Sequence, residues 1–128
     1  MLHGPTNVGQ LSFTALSNQS SAFVPLPIVV VTGLKPDGVP VGNWYGHPGR
    51  VVVVGNEPLL EAYLNTNRDV MLILYSIPGS TNEILSCPEL HGTATWTNFK
   101  TVSLTNLFEF IEVNNPINSK LFFRALRP

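Results

Sequence analysis

Few residues of this chain can do covalent chemistry, and they lie far apart. Among its 128 residues are two aspartates, Asp37 and Asp69, three histidines, His3, His47 and His91, and one cysteine, Cys87. A nucleophile needs a base within hydrogen-bond reach and a third group to orient that base. Ser86 and Cys87 are the nearest approach to a nucleophile, with His47 or His91 as base, yet each histidine is isolated in sequence. Cys87 precedes Pro88 at the end of an apolar run, which reads as a small buried hydrophobe. Glu109 and Glu112 are the nearest pair of carboxylates for a glycosidase, but positions three apart on a strand point to opposite faces and cannot flank one bond. Asp37 with Asn43 or Asn56 supplies too few hard oxygen ligands for calcium. The expectation is a non-enzymatic chain with no cofactor and no metal site.

Binding chemistry has one candidate segment, Gly42-Asn43-Trp44-Tyr45-Gly46-His47-Pro48-Gly49. Adjacent aromatics framed by glycines can offer flat apolar faces beside the Asn43 amide, and sugar rings stack on such faces. The same two rings can instead fold back over the valine run that follows, as a lid. Trp96 reads as a core residue, and Phe122 with Arg124 as a stack on a solvent face.

The elements that would hold these residues must be β. Charged residues make up 12% of the chain, against roughly 25% in ordinary soluble domains, and Asn, Ser and Thr supply the polarity instead. A net charge of −1 with seven basic residues cannot neutralise a row of phosphates, so nucleic acid is not an expected partner. The longest apolar stretch, residues 22–31, contains Pro25 and Pro27 and cannot cross a bilayer as a helix, so no membrane insertion is expected. No basic region followed by an apolar core opens the sequence, so no signal peptide is visible.

With 10 glycines and 11 prolines spread along the length, runs long enough for several helices are interrupted. Strict alternation over 8–16, with Leu11, Phe13 and Ala15 opposite Gln10, Ser12 and Thr14, predicts a first strand. Residues 28–32 are expected to pair, with the proline-bearing stretch before them on a sheet edge. Asp37-Gly38 predicts a turn, and the valines of 50–54 a strand. Residues 57–65 read as a helical turn or, nearly as well, as a strand over 59–64. Strands follow at 70–75, 82–86, 96–104, 107–113 and 120–126, the first apolar on both faces and closed by a Pro78-Gly79 turn.

The order Gly9-Gln10-Leu11-Ser12-Phe13-Thr14-Ala15, an apolar strand, Asp37-Gly38 and Gly49-Arg50-Val51-Val52-Val53-Val54-Gly55 resembles the C-terminal part of a cohesin-like jelly-roll module. The modules of that family are longer, so the likeness implies missing first strands and an open sheet edge that a second copy can satisfy, as a homo-oligomer. Residues 69–128 resemble the small β-sandwich modules that end secreted multidomain proteins of environmental bacteria, through Leu72 to Gly79, Thr95-Trp96-Thr97-Asn98, Leu104-Thr105-Asn106 and Phe122-Phe123-Arg124-Ala125. The resemblances imply an all-β chain: a partial jelly-roll-like half over 1–56, a linker or short helical turn over 57–68, and a small antiparallel Ig/fibronectin-like β-sandwich over 69–128. The implied function is a non-catalytic structural or adhesion module, extracellular or at the cell surface, binding a protein partner. The alternative is carbohydrate binding, with a polysaccharide held by Trp44, Tyr45 and Asn43.

Overall fold

The structure, a computed structural model, describes residues 10–14, 16, 19–42, 46–113 and 120–128. Among them the chain is all-β, as composition and alternation predict, with eight strands in three antiparallel sheets and no helix. β1 (Ala22–Leu26) pairs with β2 (Gly49–Val53). β3 (Leu59–Leu64), β4 (Val70–Tyr75) and β7 (Phe108–Glu112) form a sheet in the order β3-β4-β7. β6 (Thr97–Ser103), β5 (Thr81–Cys87) and β8 (Phe122–Leu126) form another in the order β6-β5-β8.

The two three-stranded sheets share one core. Leu72 and Leu74 from β4 and Ile111 from β7 meet Ile84 from β5 and Val102 from β6, with Leu104 and Val113 at the strand ends. Side chains alternate across a strand, so each sheet gives this layer every second residue and leaves the others outside. A register shift between Ile84 and Leu85 opposes them to Lys100 and Asn98, and the extra residue, Phe99, packs on the core, edge-on to Phe123 at 5.4 Å. The crossing from β4 to β5 is the Pro78-Gly79 turn: Ser80 N donates to Ile77 O, and Gly79 has φ of 84°, which a type II turn demands at that place.

Among the described residues two polar side chains, Ser76 and Asn82, are fully buried, and both are satisfied. Ser76 Oγ donates to Asn82 Oδ1 at 3.0 Å and accepts from Arg127 Nη2 at 2.9 Å, while Asn82 Nδ2 donates to Ser80 Oγ at 3.0 Å. Truncating Asn82 removes the hydrogen bonds it makes to Ser76 and Ser80 and leaves Ser76 only Ser80 Oγ, 3.1 Å away, as acceptor, which costs about 1–3 kcal/mol.

The last five predicted strands stand within two residues of β4 to β8. Elsewhere the structure corrects the expectation. Within residues 57–68, read as a linker or helical turn or nearly as well as a strand over 59–64, the strand is what forms: β3, because Leu59 to Leu64 find an antiparallel partner in β4 along their whole length. Ala22–Leu26 pair with β2, whereas residues 28–32, expected to pair, form no strand. In a two-stranded ladder alternate residues turn their N–H away from the partner, which lets Pro25 sit opposite Arg50. The expected strand over 8–16 is absent from its described part, residues 10–14 and 16, where Leu11, Phe13 and Leu16 are exposed. Alternation permits a strand, but only a partner edge makes one. Trp96 is half-buried outside the core, and Arg124 stacks on it at 4.4 Å rather than on Phe122.

No described residue before Leu72 is buried. Stability must therefore reside in the sandwich. Ile111→Ala is expected to cost about 2–5 kcal/mol and Val30→Ala less than about 0.5 kcal/mol in urea unfolding. Asn82→Ala should fall between them.

Candidate functional site

The outer face of the β3-β4-β7 sheet collects aromatic side chains from three distant parts of the sequence. Register sets three cross-strand rows: Leu59, Tyr75 and Phe108; Glu61, Ile73 and Phe110; Tyr63, Met71 and Glu112. Because Leu72, Leu74 and Ile111 point into the core, these neighbours must point out. Phe108 and Phe110 remain 47% and 53% exposed, well above what large aromatics keep without a partner.

The rings pack on one another, edge-on in three contacts and tilted at 45° between Tyr75 and Phe108. Phe108 and Phe110 stand 5.5 Å apart at 84°, and Tyr63 meets Phe110 at 6.4 Å and 71°. Tyr75 lies 6.1 Å from Phe108 and receives Phe23 of β1 at 5.7 Å and 81°. Such pairs are worth about 0.5–1.5 kcal/mol each beyond their burial.

An ion pair sits at one edge of this face, and the Glu112 carboxylate in its far row. Arg50 of β2 forms a two-pronged ion pair with Glu61 while its guanidinium lies 5.0 Å from the Phe23 ring. Tyr75 Oη donates to Glu61 Oε2 at 3.2 Å and accepts from Arg50 Nη2 at 3.3 Å. The hydrogen bond from Arg50 holds the Glu61 carboxyl below the usual carboxylate range. Burial, followed by the Glu61 charge, pushes the Tyr75 hydroxyl up. This cluster joins the β1-β2 hairpin to the sandwich.

Among the described residues, those singled out from sequence lie in separate places. Asn43, Trp44 and Tyr45 lie outside the described residues. His47 and His91 are exposed, while Cys87 is buried with its thiol donating to Glu89 O at 2.8 Å. Glu109 and Glu112 pair with Leu74 and Met71, on opposite faces of β7. Asp37 accepts from Val39 N at 3.1 Å and shapes the turn at Gly38.

Among the described residues no three His, Cys, Asp or Glu side chains gather to hold a metal ion. Asp69 and Glu112 open on a polar hollow with Asn65 and Asn67, where Asn65 Nδ2 already donates to Asp69 Oδ2 at 3.1 Å. No helix among the described residues is long and apolar enough to cross a membrane. A cleft of about 410 Å³ is lined by Phe13, Val24, Val51, Val53 and Leu107.

The sign of the pH dependence follows from Glu61. Its folded pKa is depressed, so the hairpin contact is at full strength above the ordinary carboxylate range and is lost as pH falls through the lower, folded value. Hydrogen exchange of β1 and β2 amides should accelerate in that acid window, beyond the intrinsic pH effect, while β4 and β5 stay protected. In Glu61→Gln the hairpin should exchange fast already at neutral pH, with no further acid step.

Comparison with protein-family models, with curated proteins and with solved structures finds no match to this chain, so the cohesin-like and small-sandwich likenesses rest on sequence pattern alone.

Proposed function

We propose that the chain is a non-catalytic structural and binding module that works by protein–protein contact, with the outer face of the β3-β4-β7 sheet as its docking surface. The observation that carries this reading is the edge-on packing of Tyr63, Phe108 and Phe110 in open solvent. Sugar rings stack on aromatic faces, and a row of them needs those faces side by side. Here the neighbouring rings of Tyr63, Phe110 and Phe108 stand at 71° and 84°, with Tyr75 tilted 45° to Phe108, so faces do not lie side by side and the surface is ridged. Apolar side chains interlock with such a surface better than a flat ring does. Around Tyr63, Phe108 and Phe110 the chemistry also matches the centre of a protein interface, rich in Tyr and Phe, with the Glu112 carboxylate at its rim.

The test places a photo-reactive p-benzoylphenylalanine at position 110 and, as a control, at the exposed Lys100 of β6, in the cells that make the protein. Discrete protein adducts from position 110 and none from position 100 are expected. Equal adducts at both positions, or none at either, overturn the proposal. So does saturable retention on cellulose or chitin that Phe110→Ser abolishes, which would make the face a sugar site.

A further inference from the structure

The described residues between β1 and β2, 27–42 and 46–48, belong to a hairpin arm whose valines at 29 and 30 are uncovered. The chain leaves the paired strands at Leu26 and returns at Gly49. At its tip Leu34 bridges Pro40, Lys35 N donates to Val39 O at 2.8 Å, and Gly38 N donates to Lys35 O at 2.9 Å. With Pro36 and Asp37 between and Gly38 at φ of 79°, this is a tight, built turn. Along the stem, a Cβ on Gly46 would come within 2.7 Å of Ile28 Cγ2, so the two sides of the arm pack closely there. The arm has a shape, yet Val29 and Val30 are 85% and 74% exposed.

A stretch of valines held in open water needs a cover, and the molecule contains one of matching character. Phe108 and Phe110 are also uncovered, so arm and face do not cover each other within a single chain. The base of the hairpin already rests on that face, through Phe23 on Tyr75 and Arg50 on Glu61. A second arm laid over Phe110 and Tyr63 would continue this contact across the remaining rows. Charge does not oppose this contact: Lys35 and Asp37 balance at the arm tip, and a net charge of −1 sets up little repulsion between copies.

We infer that the occupant of the aromatic face is the hairpin arm of a second copy of this chain. The inference rests on the docking-surface reading above and names its partner. Sedimentation velocity over a range of concentrations should detect association of the wild type. Val29→Ser/Val30→Ser, which changes the arm alone, and Phe108→Ser/Phe110→Ser, which changes the face alone, should each raise the dissociation constant by about tenfold or more with unchanged circular dichroism. Tyr63→Ser replaces the face variant should the latter misfold. Mixing the arm variant with the face variant should restore a heterodimer, since one keeps an intact face and the other an intact arm.

A wild type that stays monomeric at every concentration overturns the inference. An arm variant that still associates implies contact between two faces, and a face variant that still associates implies contact between two arms; either result also overturns it. If adducts from position 110 reach a different protein while the wild type is monomeric, the docking face stands and the arm exchange falls.

Discussion

One dry layer of aliphatic side chains holds the molecule. Leu72, Leu74, Ile84, Val102, Leu104, Ile111 and Val113 are the buried cluster, and no described residue earlier in the chain is removed from water to the same degree. Every other feature depends on that layer staying shut. It fixes which residues of β4 and β7 point inward, and thereby which aromatics are presented outward. It also surrounds Ser76 and Asn82, whose hydrogen bonds are strong because water is excluded from them.

The β1-β2 hairpin is a dependent of the sandwich. A two-stranded ribbon is marginal alone in water, and this one is secured by Phe23 on Tyr75 and by the Arg50, Glu61 and Tyr75 cluster. Both contacts lie on the outer face of the β3-β4-β7 sheet. Where Gly55 passes the chain entering the hairpin, its amide donates to Ser21 Oγ at 2.7 Å, and a Cβ there would meet Gln19 O at 2.1 Å. Only glycine allows that crossing, so the base of the arm is fixed by backbone contact as well as by side chains.

The sandwich was legible in the sequence, and the arm was not, for a physical reason. Residues 70–75 are apolar on both faces and Pro78-Gly79 can hardly do anything but turn, so local composition carries those elements. Residues 10–16 and 28–32 have equally strand-like patterns, but pattern records a willingness to extend and pairing requires a partner edge. The aromatic face was missed because Phe23, Tyr63, Tyr75 and Phe108 come together only through strand register. One local signal was available: Phe108 and Phe110 lie two apart on a strand beside Ile111, which puts both rings on one side and the isoleucine on the other. The Trp44 and Tyr45 loop drew attention because its aromatics are neighbours in sequence, which says little about neighbours in space.

The arm and the aromatic face are different patches, joined by their own chain and pointing to different surroundings. A contact between unlike patches is directional. Reciprocal exchange about a two-fold axis closes at two copies and leaves nothing unmet. A rotation by another simple fraction of a turn closes a larger ring, and a rotation that does not close leaves a spare arm at one end and a spare face at the other, renewed by each added copy. The angle at which the hairpin leaves the sandwich therefore decides between a finite ring and a fibre that grows for as long as chains are supplied.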